Sequence, residues 1–173
     1  LRLIRTAYVE IPRKNGKSTI AAGIGNYLTF ADSEPGAEVY SAAADKEQAA
    51  IVFDTAKLQV DGSLDLRSRA IVLRRSISVA HTNSFYKVLS ADVKTKHGLN
   101  GHGIIFDELH TQPNRDLYDV LVSCVGSRRQ PLVFFITTAG FDRQSICWEV
   151  HEYATKVLSG AVKDPTFWAV IYS

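Results

Sequence analysis

Glu10-Ile11-Pro12-Arg13-Lys14-Asn15-Gly16-Lys17-Ser18-Thr19 lies between the apolar stretch Thr6-Ala7-Tyr8-Val9 and the run Ile20-Ala21-Ala22-Gly23-Ile24. This order reads as strand, tight loop, Gly-Lys-Ser/Thr, helix. A loop that grips a phosphate needs that order. Its backbone N–H groups curl around the anion, and the following helix aims its positive N-terminus at the same point. Lys17 then reaches the β- and γ-phosphates of a nucleotide and the Ser18 hydroxyl sits on Mg²⁺, with Pro12, Arg13, Lys14, Asn15, Gly16 and Thr19 completing the cradle. The run departs from G-x-x-x-x-G-K-[ST] at its first position, where Ile11 stands in place of glycine. On these residues alone, a turn opening an ordinary helix with solvated lysines is the alternative.

Further along, Gly103-Ile104-Ile105-Phe106-Asp107-Glu108 is an apolar run that ends in two adjacent acids. Continuous apolar runs are the mark of buried parallel strands, and open α/β sheets bind ligands at the carboxyl ends of their strands. Asp107 then emerges where a Mg²⁺ would be held, and Glu108 can polarise an attacking water. Taken alone, the pair reads equally well as an N-cap followed by a solvated first-turn acid. In the correct order behind Gly16-Lys17-Ser18-Thr19, it points to an ATPase.

Leu132-Val133-Phe134-Phe135-Ile136 is a second buried-strand run, ending in Thr137-Thr138-Ala139-Gly140. The two hydroxyls at that strand end can sense a γ-phosphate or the attacking water. Equally, they can finish a β-branched strand before a glycine turn.

Strand and helix patterns alternate through the chain. Helices are expected over 17–30, 115–125 and 145–158, and strands at 38–42 and 167–172. Asp45 is placed to cap a helix carrying Ala49, Val52, Phe53 and Ala56. Short apolar segments between Leu66 and Leu89 predict a small strand meander. Ser90 through His102 reads as an ordered loop. Alternation of this kind predicts an α/β fold, with a mostly parallel sheet covered by helices on both faces. A glutamate directly after the strand aspartate predicts the RecA-like (ASCE) class of P-loop NTPase, in which a further strand lies between the Asp strand and the phosphate loop.

At 173 residues and 46% hydrophobic content the chain suits one core. Twenty Lys and Arg against eighteen Asp and Glu leave a net charge of +2, so no global field advertises a polyanion. The local clusters Arg67, Arg69, Arg74, Arg75 and Arg128-Arg129 read as solvated rims. Cys124 and Cys147 lack C-x-x-C spacing and are expected to be structural thiols. His81, His97, His102, His110 and His151 show no structural-metal spacing. Neither a signal peptide nor a membrane-length apolar run is visible. A chain without methionine that opens on Leu1 is expected to be part of a longer polypeptide.

The three segments Glu10–Thr19, Ile105–His110 and Ile136–Gly140 resemble the large terminase subunit of tailed bacteriophages, the motor that packages DNA into the capsid. That family's phosphate loop lacks the first glycine and carries an arginine where Arg13 stands. The resemblance implies that Lys17 and Ser18 bind phosphate and Mg²⁺, Asp107 holds the metal, and Glu108 is the base for water. It implies that Arg13 stabilises charge in its own site or a neighbour's, and that Thr137, Thr138 and Ala139 couple hydrolysis to movement. It further implies ATP as substrate, double-stranded DNA, the small terminase subunit and portal protein as partners, a homo-oligomeric ring, and the host-cell cytoplasm as the place of action. The family's adenine-contacting segment and its nuclease domain would lie outside residues 1–173, so weak ATP binding or turnover and no DNA cleavage are expected. Another RecA-like motor, such as a helicase, and a nucleotide-binding module without turnover are the competing readings. The intact Asp107-Glu108 pair argues against the second.

Overall fold

In the computed structural model, residues 1–44, 46–89, 98–112, 114–140 and 142–172 are described. The first strand, β1, runs over Thr6–Glu10 and feeds a loop into helix α1, Lys17–Phe30. Strand β2 (Glu38–Ala42), helices α2 (Lys46–Asp61) and α3 (Leu64–Arg69), and strands β3 (Ile71–Val72), β4 (Ser76–Val79) and β5 (Ser84–Val88) follow. The second half comprises β6 (Gly101–Asp107), α4 (Asp116–Ser123), β7 (Leu132–Thr137), α5 (Ile146–Leu158) and β8 (Phe167–Ile171).

The eight strands form one sheet in the order β3-β4-β5-β2-β6-β7-β1-β8. From β5 to β8 every pairing is parallel; only β3–β4 and β4–β5 are antiparallel. The two longest apolar runs, β6 and β7, are buried at every residue and lie near the centre. Such strands need cover on both faces. One face carries α1 and α2, where Ala21, Leu28, Val52 and Phe53 pack with Val9, Val39, Ile105 and Phe134. On the other, α4 and α5 place Leu117, Leu121, Cys147 and Val150 against Tyr8, Ile104, Phe106 and Phe135. The expected α/β sheet with helices on both faces is what the chain adopts.

Strand β7 pairs with β1 on one side and β6 on the other, so one strand separates the Asp107 strand from the loop strand, as expected. Tight packing holds α1 over β6. A Cβ at Gly103 would lie 2.6 Å from Leu28 Cδ1 and 3.2 Å from Val39 Cγ1, so only glycine lets the two elements approach this closely.

The antiparallel run β3-β4-β5 is the meander expected between Leu66 and Leu89, and it needs correcting at its start. Leu64–Arg69 is a helix, capped by Ser63 Oγ accepting from Leu66 N–H at 3.4 Å. A local cap and the i,i+4 pair Asp65–Arg69 win there over short apolar spacing. At the far end, β5 joins the parallel sheet beside β2. Arg128 is likewise no solvated rim. Its guanidinium donates to Asn100 O at 2.9 Å and Gly36 O at 2.7 Å, clasping the loop before β2 to the start of β6. Asp45, expected as a helix cap, and positions 90–97 of the expected loop lie outside the described residues.

Candidate nucleotide site

Three strand ends converge on one edge of the sheet. β1 ends at Glu10, β7 at Thr137 and β6 at Asp107, with Glu10 opposite Thr137 and Asp107 opposite Ile136. The loop after β1 stays tied to β7, since Ile11 N–H donates to the Thr137 carbonyl at 3.1 Å. The chain then turns through two left-handed residues, Lys14 (φ 67°) and Gly16 (φ 72°), and Asn15 Nδ2 braces the turn on the Pro12 carbonyl at 3.2 Å. Alternating backbone hands turn successive N–H groups toward one concavity, the geometry of an anion nest. Gly16 caps α1 without a side-chain hydrogen bond, so the first-turn N–H groups of that helix receive no side-chain acceptor there.

Lys17 opens α1 and is buried, with 7% of its surface exposed. A lysine standing in solvent at a helix-opening turn is the alternative that the local sequence allows, and packing of α1 on the sheet overturns it. Its Nζ lies 3.4 Å from Glu108 Oε1. A buried ammonium needs a counter-charge, and Glu108 supplies it. Ser18, the next residue, is half-buried, while Pro12, Arg13, Lys14, Asn15, Gly16 and Thr19 are exposed. Arg13 has no hydrogen bond or ion pair to Lys17, Asp107 or Glu108 among the described residues.

Asp107 is buried at the end of β6, and its Oδ1 has no hydrogen-bond partner among the described residues. Burial pushes this carboxyl up to about 6; the Glu108 charge adds to the rise and Lys17 opposes it. Glu108 adopts the left-handed region (φ 51°, ψ 55°), which costs a non-glycine residue about 1–2 kcal/mol. Its N–H is held by the Ile136 carbonyl at 2.9 Å. The result is that adjacent acids face different surroundings. Asp107 stays buried, and Glu108 turns toward Lys17 and β7.

Thr138 Oγ1 donates to Glu108 Oε2 across 3.4 Å. Thr137 is fully buried and donates its hydroxyl to the Thr138 carbonyl at 3.0 Å. Ala139 is exposed and takes no part in these bonds. The structure therefore brings together Lys17, Asp107, Glu108, Thr137 and Thr138, and leaves Arg13 and Lys14 on an open loop.

Two groups escape the sequence reading. His110 Nδ1 lies 3.1 Å from Glu108 Oε2, 3.0 Å from Thr137 Oγ1 and 3.4 Å from Thr138 Oγ1. Metal spacing is the wrong question to ask of it; its signal is its place two residues after Glu108. Glu10 is the other, a buried carboxylate that accepts from Tyr8 Oη at 2.6 Å and contacts His151 Nδ1 at 2.8 Å. An acid closing an apolar strand just before the loop is its one local signal. Burial and the neighbouring Glu10 carboxylate together push the Tyr8 hydroxyl well above its ordinary range, so Tyr8 acts as a fixed donor.

The family model for the terminase large subunit, ATPase domain, matches residues 1–156. The terminase large subunit of Enterobacteria phage HK97 is 33% identical over 137 residues, covering 76% of this chain. Protein YmfN of Escherichia coli K12 is 32% identical over 76 residues, 44% of this chain. The chain spans only 27% and 17% of the lengths of these two relatives. Among solved structures, the HK97 large terminase superposes with a TM-score of 0.84 at 27% identity, over 98% of this chain and 36% of that one. The large terminase ATPase domain of Thermus phage P74-26 shares the fold, at TM-score 0.73 and 18% identity over 96% of this chain and 74% of that one. So does the large terminase of a thermophilic bacteriophage in complex with ADP, at TM-score 0.71 and 12% identity over 98% of this chain and 40% of that one.

Proposed function

Because the chain belongs to the ATPase-domain family of terminase large subunits, we propose that it is the ATP-hydrolysing motor domain that drives double-stranded DNA into a viral procapsid. The observation that carries this reading is the convergence of Lys17, Asp107 and Glu108 at neighbouring strand ends, with one strand between loop and acids. The ADP complex of the thermophilic-phage terminase supports a nucleotide as the ligand.

In this reading the loop N–H groups and the α1 N-terminus take the phosphates, and Lys17 exchanges Glu108 for β- and γ-phosphate oxygens. Released from Lys17, Glu108 accepts the proton of the attacking water. Arg13, on its open loop, adds positive charge to the departing phosphoryl group, in its own site or in a neighbouring subunit's.

The residues present also fit Mg²⁺. Asp107 keeps a buried, unpartnered oxygen, and with the Ser18 hydroxyl it forms the sparse, all-oxygen donor set that such an ion shares with phosphates. The ion would neutralise charge on the phosphates and help fix their orientation. Thr137 and Thr138 transmit the state of the site along β7. The motor works as a homo-oligomeric ring in the host-cell cytoplasm, with the small terminase subunit and portal protein as its partners. Among the described residues no helix is long and apolar enough to cross a membrane.

Family membership weighs against a helicase, and the intact pair Asp107-Glu108 weighs against a module without turnover. The test is ATP turnover and packaging of linear duplex DNA into procapsids by the full chain. Both should vanish together in Lys17→Ala. Strand separation without packaging would favour the helicase, and ATP binding without any turnover would favour the binding module.

A further inference from the structure

His110 meets three oxygens with one nitrogen. Its Nδ1 lies 3.1 Å from Glu108 Oε2, 3.0 Å from Thr137 Oγ1 and 3.4 Å from Thr138 Oγ1. Thr137 already donates its hydroxyl hydrogen to the Thr138 carbonyl, so toward His110 its oxygen can only accept. Glu108 Oε2 also accepts. Both neighbours therefore call for a donor at Nδ1, and one N–H serves two acceptors on different strands' ends. The ring is held for this task. It stands on the short 3-10 turn Leu109–Thr111, pinned because Thr111 N–H and Thr111 Oγ1 both donate to the Glu108 carbonyl, at 2.9 and 2.8 Å. Gly140 closes over it, since a Cβ there would sit 3.2 Å from His110 Cβ.

The other carboxylate oxygen, Glu108 Oε1, faces Lys17. When phosphates take Lys17, Glu108 loses its cation and, among the described residues, keeps the His110 and Thr138 contacts. Which way it then points decides whether it reaches a water. We propose that His110 is a positioning residue that aims Glu108 through Nδ1–H and ties that aim to the end of β7 at Thr137. The proposal rests on the reading of Glu108 as the base. A base displaced by on the order of 1 Å can cost ~10² in rate.

The experiment compares His110→Asn, His110→Gln, His110→Ala and Glu108→Gln in the full chain. It measures kcat and KM for ATP, the affinity of a fluorescent ATP analogue, and the melting temperature. An Asn amide nitrogen falls near the position of Nδ1, whereas a Gln amide falls near Nε2. We expect His110→Ala and His110→Gln to lower kcat by about 10- to 100-fold with KM and analogue affinity within about twofold. His110→Asn should recover most of the lost turnover. A purely structural role would instead lower the melting temperature in step with kcat, with no Asn rescue. Equal turnover in the Asn and Gln variants overturns the proposal, and so does wild-type kcat in His110→Ala. If His110→Ala does not fold, the Asn–Gln comparison still decides. Full activity of Glu108→Gln would remove the underlying reading of the base, an outcome separate from failure of the His110 role.

Discussion

Lys17 Nζ lies 3.4 Å from Glu108 Oε1, so the cation assigned to the phosphates and the carboxylate assigned to water hold each other in this structure. The pair satisfies a buried ammonium that would otherwise be costly. Under the proposed function it also sets an order of events: a triphosphate would have to take Lys17 before Glu108 is free to act.

Lys17→Ala removes the phosphate partner and leaves Glu108 still bonded to Thr138 and in contact with His110. The domain should keep its fold while ATP affinity and turnover are lost. Titration with a fluorescent ATP analogue, alongside circular dichroism, checks this. Unchanged affinity in a folded variant would sink the phosphate-loop assignment.

Glu108→Gln keeps the size of the side chain and its hydrogen bonding but removes the base. ATP should still bind, with hydrolysis lower by ~10²–10⁴-fold. Because Gln is neutral, Lys17 loses its counter-charge, and ATP affinity should hold or rise. A Glu108→Gln protein that no longer binds ATP would show that the carboxylate serves binding.

Asp107 carries a stability cost in the absence of nucleotide. Burial pushes its carboxyl from 3.8 up to about 6. As pH rises the unfolded chain ionises first, so the contribution present at low pH is lost between about pH 4 and pH 6 and stays lost above. Asp107→Asn should therefore raise stability at about pH 7.5 by on the order of 1–3 kcal/mol, and by little near pH 4. Turnover should disappear in the same variant. Thermal melts at the two pH values measure the difference, and a lower melting point for Asp107→Asn at neutral pH would contradict the assignment.

Arg13 lies exposed on the loop. If it offers only diffuse charge, Arg13→Lys should be nearly neutral. If its planar guanidinium forks onto transition-state oxygens, lysine cannot replace it. We expect Arg13→Lys to bind ATP normally and to lose ~10³-fold or more in hydrolysis. Mixing it with Glu108→Gln subunits then locates its action, because regained turnover requires one subunit to complete another's site.

Gly103→Ala tests the packing that sets α1 against the Asp107 strand. The added Cβ would meet Leu28 Cδ1 at 2.6 Å, and Leu28 is itself buried. Relieving glycine's entropy in a strand is worth about 0.5–1 kcal/mol, against about 1–3 kcal/mol for overpacking. The net should be a melting temperature lower by roughly 2–8 °C. A more stable variant would show that α1 can shift without cost.

The loop, the two acids and the sheet class were legible in the order of residues alone. They depend on local signals: glycine before lysine and a hydroxyl, and apolar runs long enough to demand burial on both faces. The bounds of α1 and β2 follow from the same kind of signal, since Gly16 opens the helix and the turn residues Asp32-Ser33-Glu34-Pro35-Gly36 separate it from the strand. The directions of the charges belong to the folded chain. That Lys17 is buried against Glu108, that Glu108 turns away from Asp107 through a left-handed backbone, and that His110 reaches Thr137 all depend on β7 lying between β1 and β6. Local sequence carries no register between strands that are distant in the chain. Which oxygen meets which nitrogen is fixed when distant strand ends are brought side by side, and the 3.0 Å between Thr137 Oγ1 and His110 Nδ1 has no counterpart in their spacing along the chain.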